Sequence, residues 1–168
     1  MNQDTTKDLL QYEDGKPILP SGLNVLTILT FIGCAVFGLL TLCTPLINNF
    51  FSKALEKAAS SGREFSAKEL ESMEKGKAAL ELAKENMIPL MIVGIVCIAL
   101  CFVGALWMRK FKKDGYWLYV AGELAPVAAG FFIMGSAQYQ GVWSIVIGVG
   151  IPVLFVVLYT MQRKYLIK

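Results

Sequence analysis

Long uncharged runs alternate with short charged clusters along this chain, and the runs are too uniformly apolar to be one-sided faces of soluble helices. They fall at 23–51, 87–108, 115–137 and 141–162. Each is near or above the roughly 20 residues that an α-helix needs to cross about 30 Å of hydrocarbon at about 1.5 Å per residue. The pattern predicts an all-α integral membrane protein with four transmembrane helices. Residues 1–21 read as a polar tail and 22–168 as a single transmembrane domain. The tail is acidic and lacks a basic n-region, and the run behind it exceeds a leader's apolar core, so the first span is expected to be a retained anchor rather than a cleaved leader.

The longest polar stretch, 52–86, is too short to bury a core of its own. It is expected to form a helical hairpin between the first two spans. Helix one continues through FSKALEKAA and stops at Ser60, Ser61 and Gly62; the chain restarts at Ser66, whose spacing to Glu69 is that of a capping box. On the second arm Leu70, Met73, Leu80 and Met87 recur at three or seven positions, while Glu64/Lys68 and Glu71/Lys75 are spaced to pair on the wet side. This arm either packs on its own partner segment or offers a docking surface to another protein.

Charge sets the orientation. Lys7 and Lys16 in the tail, Arg109, Lys110, Lys112 and Lys113 in the turn between spans two and three, and Arg163, Lys164 and Lys168 at the end all fall on one side, whereas the 136–140 turn holds no basic residue. The positive-inside rule then puts both termini in the cytoplasm and 52–86 outside, in a bacterial inner membrane. The seven basic residues of the outer loop are offset by seven acids. Trp107, Tyr116, Trp117 and Tyr159 are expected to anchor the inner interface, and Tyr139 and Trp143 the outer one.

The same charges account for the net +3, so nucleic acid need not be invoked. There is no histidine, which excludes catalysis that depends on it. Cys34 and Cys43 lie in span one and Cys97 and Cys101 in span two, at membrane depth, where a small apolar packing role outweighs a metal or redox site. Nucleophile-elbow, zinc-protease, Walker A and dinucleotide signatures are absent. The expectation is a non-enzymatic protein with no cofactor and no metal.

Span three carries a broad small-residue surface. Ala121, Ala125 and Ala129 repeat every four residues, and Gly122, Pro126 and Gly130 do so one step around. In lipid, helices meet where small side chains let backbones approach. Span four supplies Gly141, Gly148 and Gly150 with Pro152. These two surfaces either pack on each other within one bundle or receive a second protein.

The runs LNVLTILTFIG, GALWMRKFKKDGYWLYVAGELAP and IPVLFVVLYTMQRKYL resemble a group of small four-helix inner-membrane proteins of Bacteroidota-type bacteria with no assigned activity. The resemblance spans the membrane part and not the outer loop. It implies the topology above and no mechanism.

One acid, Glu123, interrupts the third run, about 10 to 12 Å along the helix from Tyr116. Thr30, Cys101 and the Tyr159 hydroxyl are expected at the same depth, and Pro126 cannot donate to the Gly122 carbonyl, leaving one more acceptor there. A charged carboxylate at that depth costs about 2.5 to 3.5 kcal/mol on insertion scales, so it is expected neutral or paired. It serves either to fix helix packing through hydrogen bonds or to meet a proton, a cation or a partner's basic residue. Three functions follow in order: an accessory or scaffold subunit binding a larger inner-membrane complex, or forming a homo-oligomer, in the bilayer; a small proton- or cation-coupled transporter or channel using Glu123; and, least supported, an enzyme acting on lipid.

Overall fold

The computed structural model describes residues 12–13, 16–60, 65–135 and 142–166. Apart from a two-residue antiparallel ladder, in which β1 (Tyr12–Glu13) pairs Glu13 with Lys16 of β2 (Lys16–Pro17), the described chain is helical. The helices are α1 (Ser21–Leu42), α2 (Thr44–Ala59), α3 (Ala67–Glu85), α4 (Met87–Arg109), α5 (Asp114–Met134) and α6 (Val142–Tyr165). Four of them, α1, α4, α5 and α6, are long and apolar enough to cross a membrane.

The first span is shorter than the 23–51 expected. Pro45 has no N–H to offer the Thr41 carbonyl, so the helix is interrupted at Cys43. Bonds of 2.9 Å from Cys43 N to the Leu39 carbonyl and from Ile47 N to the Cys43 carbonyl carry the chain through the bend into α2. That second helix alternates apolar residues with Asn48, Asn49, Lys53, Glu56 and Lys57 and ends at Ser60. Ser61, Gly62 and Glu64 lie outside the described residues. α3 opens with a capping box: Ser66 Oγ accepts from Glu69 N at 3.4 Å, and Glu69 Oε2 accepts from Ser66 N at 2.9 Å. On this helix Lys75 pairs with Glu71, Leu70 is exposed, and Met73 and Leu80 are half-buried, as is Met87, which falls at the start of α4.

The turn joining α4 to α5 follows from backbone chemistry. Phe111 takes the left-handed conformation, with φ 59°, at the position after the helix cap. Its N–H bonds the Met108 carbonyl at 2.9 Å, and Lys112 N bonds the Trp107 carbonyl at 3.0 Å, the pair of bonds of a Schellman closure. So tight a reversal makes α4 and α5 antiparallel neighbours. Their facing surfaces are nearly bare of side chains. A Cβ on Gly104 would stand 2.8 Å from the Gly115 carbonyl oxygen, one on Gly115 2.7 Å from the Gly104 carbonyl oxygen, and one on Gly122 2.7 Å from Cys101 Sγ. Spans two and three therefore make the closest approach, rather than the small surfaces of spans three and four. The reason lies in α6, where the glycines serve a different purpose. Residues Val146–Gly150 widen into a π-turn, in which Ile151 N bonds the Val146 carbonyl, one residue before Pro152. The wider turn accommodates the proline's missing donor, and Gly150 is exposed. Gly141 lies outside the described residues.

The buried core sits at one end of the bundle, where α1 begins, α4 ends, α5 begins and α6 ends. It comprises Leu23, Leu26, Cys101, Met108, Tyr116, Tyr119, Tyr159 and Leu166, with Leu19 and Phe155 packed against it. Elsewhere the spans turn Val36, Phe37, Leu40, Ile92, Val96, Phe132 and Ile147 outward, as a lipid solvent permits. Of the aromatic residues expected at the inner interface, Trp117 is exposed and Trp107 half-buried, but Tyr116 and Tyr159 are buried in the core. Their hydroxyls account for this, because Tyr159 bonds the buried Thr30 and Tyr116 bonds Thr160 on the neighbouring span, each at 2.8 Å. Trp143 is exposed, and Tyr139 lies outside the described residues.

Candidate functional site

Three helical rows converge on one polar cluster. On α1, Thr27, Thr30 and Cys34 follow one another at three and four residues and so share a face. On α4 the row is Cys97, Cys101, Gly104 and Met108, and on α5 it is Gly115, Tyr119, Gly122 and Gly130. α6 contributes Tyr159 from the opposite side.

Thr30 Oγ1 and the Tyr159 hydroxyl share a buried hydrogen bond of 2.8 Å between residues far apart in sequence. The Tyr159 ring lies against Tyr119, with centroids 4.4 Å apart and planes inclined at 51°. Tyr119 in turn bridges the two halves of the cluster, since its ring packs on Tyr159 while its carbonyl receives the Cys101 thiol. Cys101 Sγ approaches Glu123 Oε2 at 3.5 Å and the Tyr119 carbonyl at 3.9 Å, and Cys34 Sγ points at the Ile98 carbonyl at 3.8 Å. The sequence-predicted set of Glu123, Thr30, Cys101 and Tyr159 is thus assembled as two direct pairs joined through Tyr119. Glu123 is only half-buried, so the carboxyl sits at the edge of the bundle rather than at its centre.

Tyr119, Cys34 and Thr27 were not in that set, although the signal was present. Tyr119 precedes Glu123 by four residues, and Thr27 and Cys34 flank Thr30 at helical spacing. Among the described residues no group of three or more His, Cys, Asp or Glu side chains is placed to hold a metal ion. What the cluster offers is a series of groups that both donate and accept, two phenols and a threonine hydroxyl, ending in a carboxyl beside a thiol.

The small-residue surface of α5 divides in two. Gly122 and Gly130 are buried and Pro126 and Ala129 half-buried against the bundle, whereas Ala121 and Ala125 are exposed. Ala128, three residues further, continues the exposed row.

Below the cluster, the end of the bundle that holds the basic turn is also tied together. Arg109 donates to Thr27 Oγ1 at 3.1 Å, and Thr27 donates to the Asn24 carbonyl at 2.9 Å. The Tyr116 hydroxyl and Thr160 Oγ1 are 2.8 Å apart. Lys110, Lys112 and Lys113 are exposed, and Arg109 is half-buried.

The family model described as "Protein of unknown function (DUF4064)" matches residues 24–132, which hold nearly all of the first three spans and both helices between the first two. The chain belongs to this family. No curated protein and no solved structure matches it.

Proposed function

We propose that this DUF4064 protein is a non-enzymatic accessory or scaffold subunit that docks against another protein in a bacterial inner membrane. The division of the small-residue surface of α5 carries this reading. The glycine row is consumed by α4, at distances that leave no room for a Cβ, while Ala121, Ala125 and Ala128 face outward beside Glu123. A small-xxx-small row turned toward lipid invites a further helix, and a half-exposed acid beside it can take a hydrogen bond from that helix. In this reading the termini are cytoplasmic, α2 and α3 form an extracytoplasmic hairpin, and the resemblance to Bacteroidota-type proteins supports an inner-membrane setting. Mild-detergent affinity purification with mass spectrometry tests it. A stoichiometric membrane protein should co-elute with the native chain and be lost from Ala125→Trp, a substitution at an exposed site that leaves the bundle intact. Recovery of a monodisperse monomer alone would overturn it.

A second reading is favoured by the gathering of Thr30, Tyr159, Tyr119 and Glu123 in one cluster, groups with the chemistry of a proton relay. Proton-coupled uptake in vesicles that Glu123→Gln abolishes, with folding unchanged, would select it over the accessory role.

A further inference from the structure

We propose that the end of the bundle carrying the basic turn holds the phosphate headgroup of an anionic phospholipid, seated between the α4–α5 turn and the end of α6. The positive-inside rule requires charge on this side but says nothing about how the cations are held. Here they are held by aromatic rings. The Arg163 guanidinium lies 5.3 Å from the Tyr116 ring and 5.2 Å from the Trp117 ring, and these two rings meet nearly edge-on at 5.3 Å. Lys112 stands 5.2 Å over Trp107, and Lys164 5.0 Å over Tyr165. The hydrogen bond between Tyr116 and Thr160, one turn before Arg163, fixes the end of α6 onto the start of α5.

Ring contact occupies the face of a guanidinium and leaves its N–H edge free for the forked geometry that phosphate oxygens accept. Among the described residues no carboxylate forms an ion pair with Arg163, Lys110, Lys112, Lys113 or Lys164; the only ion pair is Lys75 with Glu71, on α3. Among the described residues of the α4–α5 turn and the end of α6, the neighbouring acid is Asp114, in the first turn of α5. Among the described residues the excess at this end is therefore positive. A membrane source is favoured over a free anion because Trp117, which carries the arginine, is itself exposed at the edge of a span, where headgroups lie. The proposal is independent of the accessory role.

The test uses the full chain in a neutral maltoside detergent, titrated with phosphatidylglycerol, with phosphatidylcholine and with inorganic phosphate, and read by tryptophan fluorescence and thermal unfolding. Saturable binding and a raised midpoint with phosphatidylglycerol alone are expected. Arg163→Gln should weaken the apparent affinity about fivefold, corresponding to the roughly 1 kcal/mol that one basic side chain contributes near an anionic surface. Lys113→Gln, at an exposed position outside the aromatic stack, should also weaken it and carries the test if the arginine variant does not fold; Lys75→Gln should leave it unchanged. Equal binding of phosphatidylcholine, an equal response to inorganic phosphate, or native affinity in Lys113→Gln and in any folded Arg163→Gln would overturn the proposal.

Discussion

Thr30→Val and Tyr159→Phe both delete the same 2.8 Å hydrogen bond, yet they should not cost the same. Without the phenol, the Thr30 hydroxyl can turn back to a carbonyl of its own helix, so Tyr159→Phe should cost about 0.6 to 1.7 kcal/mol, the range for hydrogen bonds between membrane helices. Without the threonine, the Tyr159 hydroxyl is left in a fully buried position, and the cost should rise to about 1 to 3 kcal/mol. Unfolding in mixed micelles measures both, and equal losses would show that the phenol has another partner. At Glu123, Gln keeps shape and most hydrogen bonding but cannot ionise. A structural acid therefore predicts native stability for Glu123→Gln and a loss of about 1 to 2 kcal/mol for Glu123→Leu; an ionic role predicts that both variants lose function alike. The depth of Glu123 and its neighbours could be read from the sequence by counting residues from the interface. Tyr119 as the bridge could not be, because the count gives depth but not which side of α5 meets α6.

Between α4 and α5, glycine identity should matter in proportion to what a Cβ would meet. Gly122→Ala and Gly104→Ala push a methyl into backbone or sulfur at 2.9 Å or less and should cost about 1 to 3 kcal/mol by overpacking. Gly33→Ala on α1 meets nothing within 4 Å and should be neutral or slightly stabilising, which makes it the control. Thermal scans of the three variants in one detergent are sufficient. On α3, the hydrogen bond and then the charge of Lys75 hold the Glu71 carboxyl below its ordinary value of 4.5. A depressed folded value means that this pair's contribution is present above about pH 4.5 and is lost as pH falls through the lower folded value. Carboxyl-carbon NMR should show Glu71 titrating higher in Lys75→Gln. The elements themselves were largely written in the hydropathy pattern, and the capping box at Ser66 was explicit. The end of α1 was not, because Pro45 lies inside an apolar run whose hydropathy continues past the break. The partner of the glycine face was also illegible, since periodicity identifies a face and only the tight 110–113 turn decides which helix it meets.

For the whole chain, cysteine-accessibility labelling decides the orientation. On a cysteine-free background, Ser72→Cys in α3 should react with a membrane-impermeant maleimide in intact cells, and Lys113→Cys only after permeabilisation; the reverse pattern would invert the topology. Four apolar spans follow from composition alone, and the direction of threading is what the charge pattern proposes and this labelling tests. The concentration of the core at one end does not, because it depends on Tyr116, Tyr159 and Leu166 turning inward although their positions near the ends of the spans suggest the interface.

The bare contact between α4 and α5 also bears on how the protein is made. α5 is the least hydrophobic span, with a mean hydropathy of 1.5 against 2.7 for α4, and it carries the only acid in the membrane interior among the described residues. Alone, such a segment partitions poorly from the translocation channel into lipid. Joined by a short turn and lying backbone against backbone, the two are expected to leave the channel as one hairpin, with the more hydrophobic member carrying the weaker one. Bulk added at Gly104 or Gly122 should therefore reduce the fraction of nascent chains that acquire all four spans, so that a protease-deficient host recovers the missing yield as misinserted protein.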